Sequence, residues 1–194
     1  MQSKKEDLRV RKTKKALFDA FMSLLAKKPY EDITINELCD AADVRRATFY
    51  KHYSDKVSFV TAYTRSLREK FDTDFLNVET KAPDKNYYVA YAERMVAFIS
   101  ENLPAIENII ESDVFPFVLS VILEQNYKDT CIYLEQSVAL GMKLRTSITT
   151  TASMCAGGVA SAIYIWLKED KTRPAEIVAK EIGTLISSLI GDNE

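Results

Sequence analysis

His52 is the only histidine among the 194 residues. That shortage excludes most histidine-rich metal sites, and any Ser-His-Asp arrangement would have to use this one imidazole. The five glycines, Gly141, Gly157, Gly158, Gly183 and Gly191, form no phosphate-cradling loop. The three cysteines, Cys39, Cys131 and Cys155, are odd in number, far apart and free of C-x-x-C pairing. They read as small apolar thiols in a reducing compartment and not as a disulfide framework. No uninterrupted apolar run approaches the roughly 20 residues of a membrane span. The N-terminal MQSKKEDLRVRKTKK lacks the apolar centre of a signal peptide. Strand-length alternating segments and internal repeats are missing as well, and the carboxylates form no compelling catalytic pair. The expectation is an all-α, cytoplasmic protein that is not an enzyme, with no cofactor, no metal and no membrane partner.

What the sequence does hold is apolar residues, 47% of the total, with enough charge (28%) for solubility. The net charge of −2 is unevenly spread: residues 1–60 carry 13 Lys/Arg against 9 Asp/Glu, and the first fifteen residues seven against two. A basic N-terminal end on an acidic protein is what a localised phosphate-binding surface looks like. A solvated charge run is the plainer explanation, and charge alone does not decide between them.

Helical periodicity runs through most of the chain. From Arg9 to Lys28, residues Ala16, Leu17, Ala20, Phe21, Leu24 and Leu25 make one apolar stripe, which Lys27, Lys28 and Pro29 end. Ser54 is the expected N-cap of a long helix carrying Val57, Val60, Tyr63, Thr64, Leu67 and Phe71 inward. Glu79 to Asn86, with Pro83 and Asp84, reads as a linker. Further helices are expected over Tyr87–Leu103, from Pro104 to Ile110, over Phe117–Asn126, over Thr130–Ala139 and over Leu144–Lys168, with a last one begun by Pro174. Gly157 and Gly158 inside a helix each cost roughly 1 kcal/mol relative to alanine, which points to a close-packing reason. The final helix has a wide apolar face of Ile177, Val178, Ile182, Leu185, Ile186, Leu189 and Ile190, more than a monomer's surface helix needs.

The stretch Thr34–Lys56, TINELCDAADVRRATFYKHYSDK, stands apart. Thr34 with Glu37 three residues on has the form of a capping box. Ile35 and Leu38, with Cys39 and Ala42, share one face of a short helix. Asp43 falls where the chain must turn, and Asp tolerates the left-handed conformation better than most non-glycine residues. Val44 can plug the corner. The following RRATFYKHY has one clear apolar anchor, Phe49, among arginines, lysine, histidine and tyrosines. Such a helix is poorly built for a core and well suited to a groove of DNA.

The run V-R-R-A-T-F-Y-K-H-Y-S-D-K, with T-I-N-E-L upstream, resembles the DNA-binding domain of the tetracycline-repressor (TetR/AcrR) family. The resemblance covers roughly the first third of the chain. Most members have glycine where this chain has Asp43, and a small polar residue where it has the Arg45–Arg46 pair. It implies a helix-turn-helix DNA-binding domain over residues 1–54, and an effector-binding and dimerisation domain over 55–194 joined to it by a long helix. It also implies a homodimer formed through the last two helices, which binds a palindromic double-stranded operator, acts as a repressor and is released by an unidentified small-molecule effector. Base-edge contact then falls to Arg45, Arg46, Thr48 and Lys51. Thr34, Asn36, Tyr50, His52 and Lys56 match positions that touch phosphate or nearby bases, with Tyr53 the weakest match of that group. Aromatic residues of the second domain, Tyr87, Tyr91, Phe98, Phe117, Tyr127 and Tyr164, are candidates for an effector pocket, although aromatics at helical spacing are more often core. The rival is an adaptor or coactivator of the same fold controlled by a partner protein.

Overall fold

The computed structural model describes residues 8–76 and 85–190, with side chains over 8–67 and 90–190. Among the described residues there are nine α-helices and no strand: α1 (Leu8–Leu25), α2 (Ile35–Ala41), α3 (Arg46–His52), α4 (Lys56–Leu76), α5 (Lys85–Glu101), α6 (Leu103–Ile110), α7 (Phe115–Ala139), α8 (Ile148–Glu169) and α9 (Ala175–Ile190). A 3-10 turn, Tyr30–Asp32, sits between α1 and α2. The all-α expectation holds. The linker expected over 79–86 lies largely outside the described residues.

Two compact units emerge: Met1–Tyr63 with Asn102–Phe117, and Thr64–Glu101 with Val118–Glu194. In the first, the α1 stripe buries Leu17, Ala20, Phe21 and Leu25 against Ile33, Leu38 and Phe49. At its centre is Phe59 of α4, whose ring lies 5.2 Å from Phe21, 5.6 Å from Phe49 and 5.1 Å from Tyr53. Edge-to-face and tilted aromatic pairs at such distances add to the area they bury. On the expected inward face of α4, Val60 and Thr64 are buried. Val57 is exposed and Phe59, passed over in the periodic reading, is fully buried. α6 and the turn after it belong to this unit and hold it at two points. Asn108 Nδ2 donates to the Leu25 carbonyl at the end of α1 (2.6 Å), and the Asp113 amide donates to Glu31 Oε1 (2.9 Å).

In the second unit α9 packs against α5 and α8. Ala92, Val96 and Ile99 meet the Val178, Ala179, Ile182 and Ile186 face, while Trp166 Nε1 donates to the Arg173 carbonyl (3.1 Å) and fixes the α8–α9 turn. The two helices expected over 117–126 and 130–139 are one helix, α7. The polar NYKDT stretch does not break it. Asn126 is buried in mid-helix, so burial and the continuous backbone ladder override the turn-like composition. α8 starts at Ile148 and not at Leu144, because Ser147 caps it by accepting from the Thr150 amide (3.1 Å). α8 is also long and apolar enough to cross a bilayer by length and composition. Its small residues hide that character when only unbroken runs are counted. Thr151, Ala152, Cys155, Ala156, Trp166 and Leu167 on one side of it are nevertheless buried within the protein.

Candidate nucleic-acid interface

Residues 34–56 fold as two short helices around a tight turn. Thr34 Oγ1 accepts from the Glu37 amide (3.1 Å), satisfying an orphan donor at the start of α2. The reciprocal half of the capping box does not form. The Glu37 carboxylate instead takes the Lys28 ammonium, which also donates to the Asp32 carbonyl (2.9 Å). That charge-assisted bond is stronger than a return to a neutral amide and holds Glu37 below the usual carboxylate range.

α2 ends in a Schellman motif. The Asp43 amide donates to the Asp40 carbonyl (3.2 Å) and the Val44 amide to the Cys39 carbonyl (2.9 Å). Asp43 takes the left-handed conformation this requires, with φ of 51°, as expected from its place in the sequence. Arg45 follows in extended conformation and opens α3, its carbonyl accepting the Thr48 amide (2.7 Å) and the Phe49 amide (3.2 Å).

Phe49 is fully buried and Tyr53 nearly so, which pins one side of α3 to the core. The opposite side carries Arg45, Arg46, Ala47, Tyr50 and Lys51, all exposed, with Thr48 and His52 half-buried at its edges. Ala47 was missed by reasoning from residue types because it has no polar group. Its place in the helical period could have found it, and its methyl is suited to a thymine methyl. Among the described residues no acid pairs with Arg45, Arg46 or Lys51. Arg46 Nη2 donates to the Tyr50 hydroxyl (3.4 Å), and its guanidinium lies 5.4 Å from the Tyr50 ring centroid. Thr34 and Asn36 are exposed at the start of α2.

Lys56 is engaged internally. Its ammonium donates to the carbonyls of Tyr30 and Ile33 (2.9 Å each) and lies 4.0 Å from the Tyr30 ring centroid. Burial lowers its pKa, against the pull of Glu31 and Asp32. Burial likewise pushes the Tyr30 phenol up to about 12, helped by Glu31 and Asp55. The cap of α4 is also displaced by one residue from the expected Ser54. Asp55 Oδ1 accepts the Ser58 amide (2.6 Å) and Ser58 Oγ accepts the Asp55 amide (3.1 Å), while Ser54 donates to Asp55 Oδ2 (3.0 Å).

Of the aromatic candidates, Tyr91, Phe98, Tyr127 and Tyr164 are half-buried in the second unit. Phe117 is 55% exposed and belongs to the first unit. The side chain of Tyr87 lies outside the described residues. No group of three or more metal-ligating side chains occurs among the described residues.

The profile of bacterial regulatory proteins of the tetR family matches residues 13–63. This segment spans most of α1, both helices of the turn and the first turns of α4. Among curated proteins, the HTH-type transcriptional regulator YxbF of Bacillus subtilis is 26% identical over 185 residues, which is 93% of this chain and 46% of that one. The chain spans about half the length of the curated relatives it matches. Among solved structures, a TetR-family transcriptional regulator from Syntrophomonas wolfei superposes with a TM-score of 0.74 at 13% identity, covering 92% of this chain and 95% of that one. RolR in complex with resorcinol gives 0.68 at 14% identity, covering 97% and 92%. Residues 13–63 thus match the bacterial regulatory proteins of the tetR family, and the all-helical architecture of the chain is similar to that of solved TetR-family regulators.

Proposed function

We propose that the protein is a homodimeric, DNA-binding transcriptional repressor that leaves its operator when a small molecule binds its second domain. The observation that carries the DNA-binding part is the outward side of α3. Arg45, Arg46 and Lys51 are exposed there with no acid paired to them among the described residues, on a helix anchored from behind by Phe49. Arginine bonds a guanine edge bidentately, and unpaired cations displace the counterions of a phosphate backbone. In this reading Arg45, Arg46, Thr48 and Lys51 face bases and phosphates, and Thr34, Asn36, Tyr50 and His52 flank them. Lys56 acts from inside, by holding the loop before α2 in place. The functional division falls near residue 54, with the DNA-reading part before it.

The homodimer is supported by an unpartnered apolar stripe on the last two helices. Met154, Gly157, Gly158, Ser161 and Ile165 line one side of α8, and Ile177, Leu185 and Leu189 one side of α9, all exposed. A Cβ added to Gly157 or Gly158 would meet nothing within 4 Å among the described residues, which leaves room for close approach of another helix. A second copy would put two recognition helices on successive turns of a palindromic operator. The effector reading draws on similar proteins: RolR binds resorcinol, and FadR of Bacillus subtilis binds stearoyl-CoA. In this chain Tyr91, Phe98, Tyr127 and Tyr164 are the residues we assign to such a site, and a regulator of this kind works in the cytoplasm. The test is a titration against the DNA upstream of the protein's own gene, with random duplex as competitor, at several salt concentrations. Specific binding whose logarithm falls steeply with log salt is expected. Affinity equal to that for random DNA at every salt concentration sinks the reading for that operator.

A further inference from the structure

Of the two arginines that open α3, one is braced and one is free. Arg46 donates to the Tyr50 hydroxyl one turn on (3.4 Å), with its guanidinium 5.4 Å from the ring centroid. The Tyr50 ring in turn rests edge-on against Phe49, with centroids 5.5 Å apart and planes at 86°. Phe49 has 0% exposure. A rigid core ring thus supports an exposed ring, which supports an exposed guanidinium. Arg45 has no such support, and no hydrogen bond or ion pair engages its side chain among the described residues.

A long side chain loses rotamer freedom when it is fixed against a partner, so one ordered beforehand loses less on binding. Bidentate bonding to a base edge needs the guanidinium plane in one orientation, whereas attraction to a phosphate needs only charge at short range. Resting on the proposed DNA-reading function, we infer that Arg46 reads a guanine in each operator half-site, that Tyr50 is the positioning residue holding it for this contact, and that Arg45 serves the phosphate backbone. The Tyr50 hydroxyl accepts from Arg46 and so keeps its own proton to donate to a neighbouring phosphate oxygen. Lysine could not substitute for Arg46, because a point charge lacks the planar fork.

The experiment is selection of bound sequences from a randomised duplex library by the full chain, at one salt concentration. Arg46→Lys, Arg45→Lys, Tyr50→Phe and Tyr50→Leu are compared with the parent, each checked for an unchanged unfolding midpoint. The parent should recover a guanine at one fixed position of each half-site. Arg46→Lys and Tyr50→Leu should each lower the preference for that guanine by about tenfold while other positions keep theirs, in line with the discrimination of one bidentate contact. Tyr50→Phe, which keeps the ring, should fall between. Arg45→Lys should leave the guanine in place. If Tyr50→Leu weakens all sequences alike, Tyr50 contacts only the backbone and the inference is overturned. Guanine preference that survives Arg46→Lys, or vanishes in Arg45→Lys, overturns it as well. A parent that enriches no sequence refutes the DNA-reading function itself, a result distinct from the other three.

Discussion

Two single residues show how the first unit is held. Asp43 occupies the left-handed position of the α2–α3 turn with φ of 51°. An L-residue there costs about 1–2 kcal/mol, less for Asp than for most, and glycine removes the steric part while adding entropy to the unfolded chain. Asp43→Gly should therefore raise the stability of this unit by about 0.5–1 kcal/mol, read as a higher urea midpoint. A lower midpoint would mean that the Asp43 carboxylate makes a contribution of its own. Lys56 makes the opposite case. Its ammonium serves the carbonyls of Tyr30 and Ile33, so Lys56→Met should destabilise by about 1–3 kcal/mol by leaving acceptors unsatisfied. The salt dependence of DNA binding should keep its slope, since no phosphate contact is lost. A slope that falls by about one would place Lys56 on the phosphate backbone instead.

Helices of this chain are decided at their ends and by what they bury. Asp55 caps α4, and its carboxyl is held below the usual carboxylate range by the Ser58 amide first and the Ser54 hydroxyl next. A depressed folded pKa means stabilisation that is present above the ordinary carboxyl value and lost as pH falls through it. Asp55→Ala should cost about 1 kcal/mol near neutrality, seen as faster hydrogen exchange of the Ser58 amide. The difference from the parent should begin to shrink below about pH 4, the ordinary carboxyl value, and vanish only as pH falls through the lower folded value at which Asp55 itself is protonated. A gap that stays constant down to pH 3 would show that the carboxylate charge is irrelevant to the cap. In α7, Asn126 is buried and its Oδ1 has no hydrogen-bond partner among the described residues. Asn126→Leu should stabilise the second unit by about 1 kcal/mol, measured by Trp166 fluorescence during unfolding. Destabilisation would reveal that the amide is satisfied in solution.

At the scale of the molecule, the apolar stripe on α8 and α9 sets the expected assembly. Leu185 is 64% exposed and Met154 58%. Leu185→Glu should turn a dimer into monomers in sedimentation, and with them DNA affinity should fall by orders of magnitude, because one half-site replaces two. A variant that still sediments as the parent does would move the dimer interface off α9.

Much of the fold was legible in the sequence, for physical reasons that act locally. The α1 stripe, the Thr34 cap, the left-handed turn at Asp43 and the Phe49 anchor all depend on neighbours within a few residues, and all are where the residue pattern puts them. The candidate site shared that advantage, because one short helix carries its arginines, tyrosine and anchor together. The missed features depend on distant partners. Glu37 turns to Lys28 and away from its own helix end, and Lys56 turns inward to carbonyls that lie more than twenty residues away in sequence. Phe59 becomes the centre of the first core only because α1 and α3 converge on it, and α7 runs unbroken because Asn126 is buried. The sequence by itself determined which stretches are helical and where the cations cluster, since period and charge are local properties. Only the tertiary structure decided which cations are free, which end caps close and how far each helix runs, because competition for a hydrogen bond is settled by whichever partner packing brings within reach.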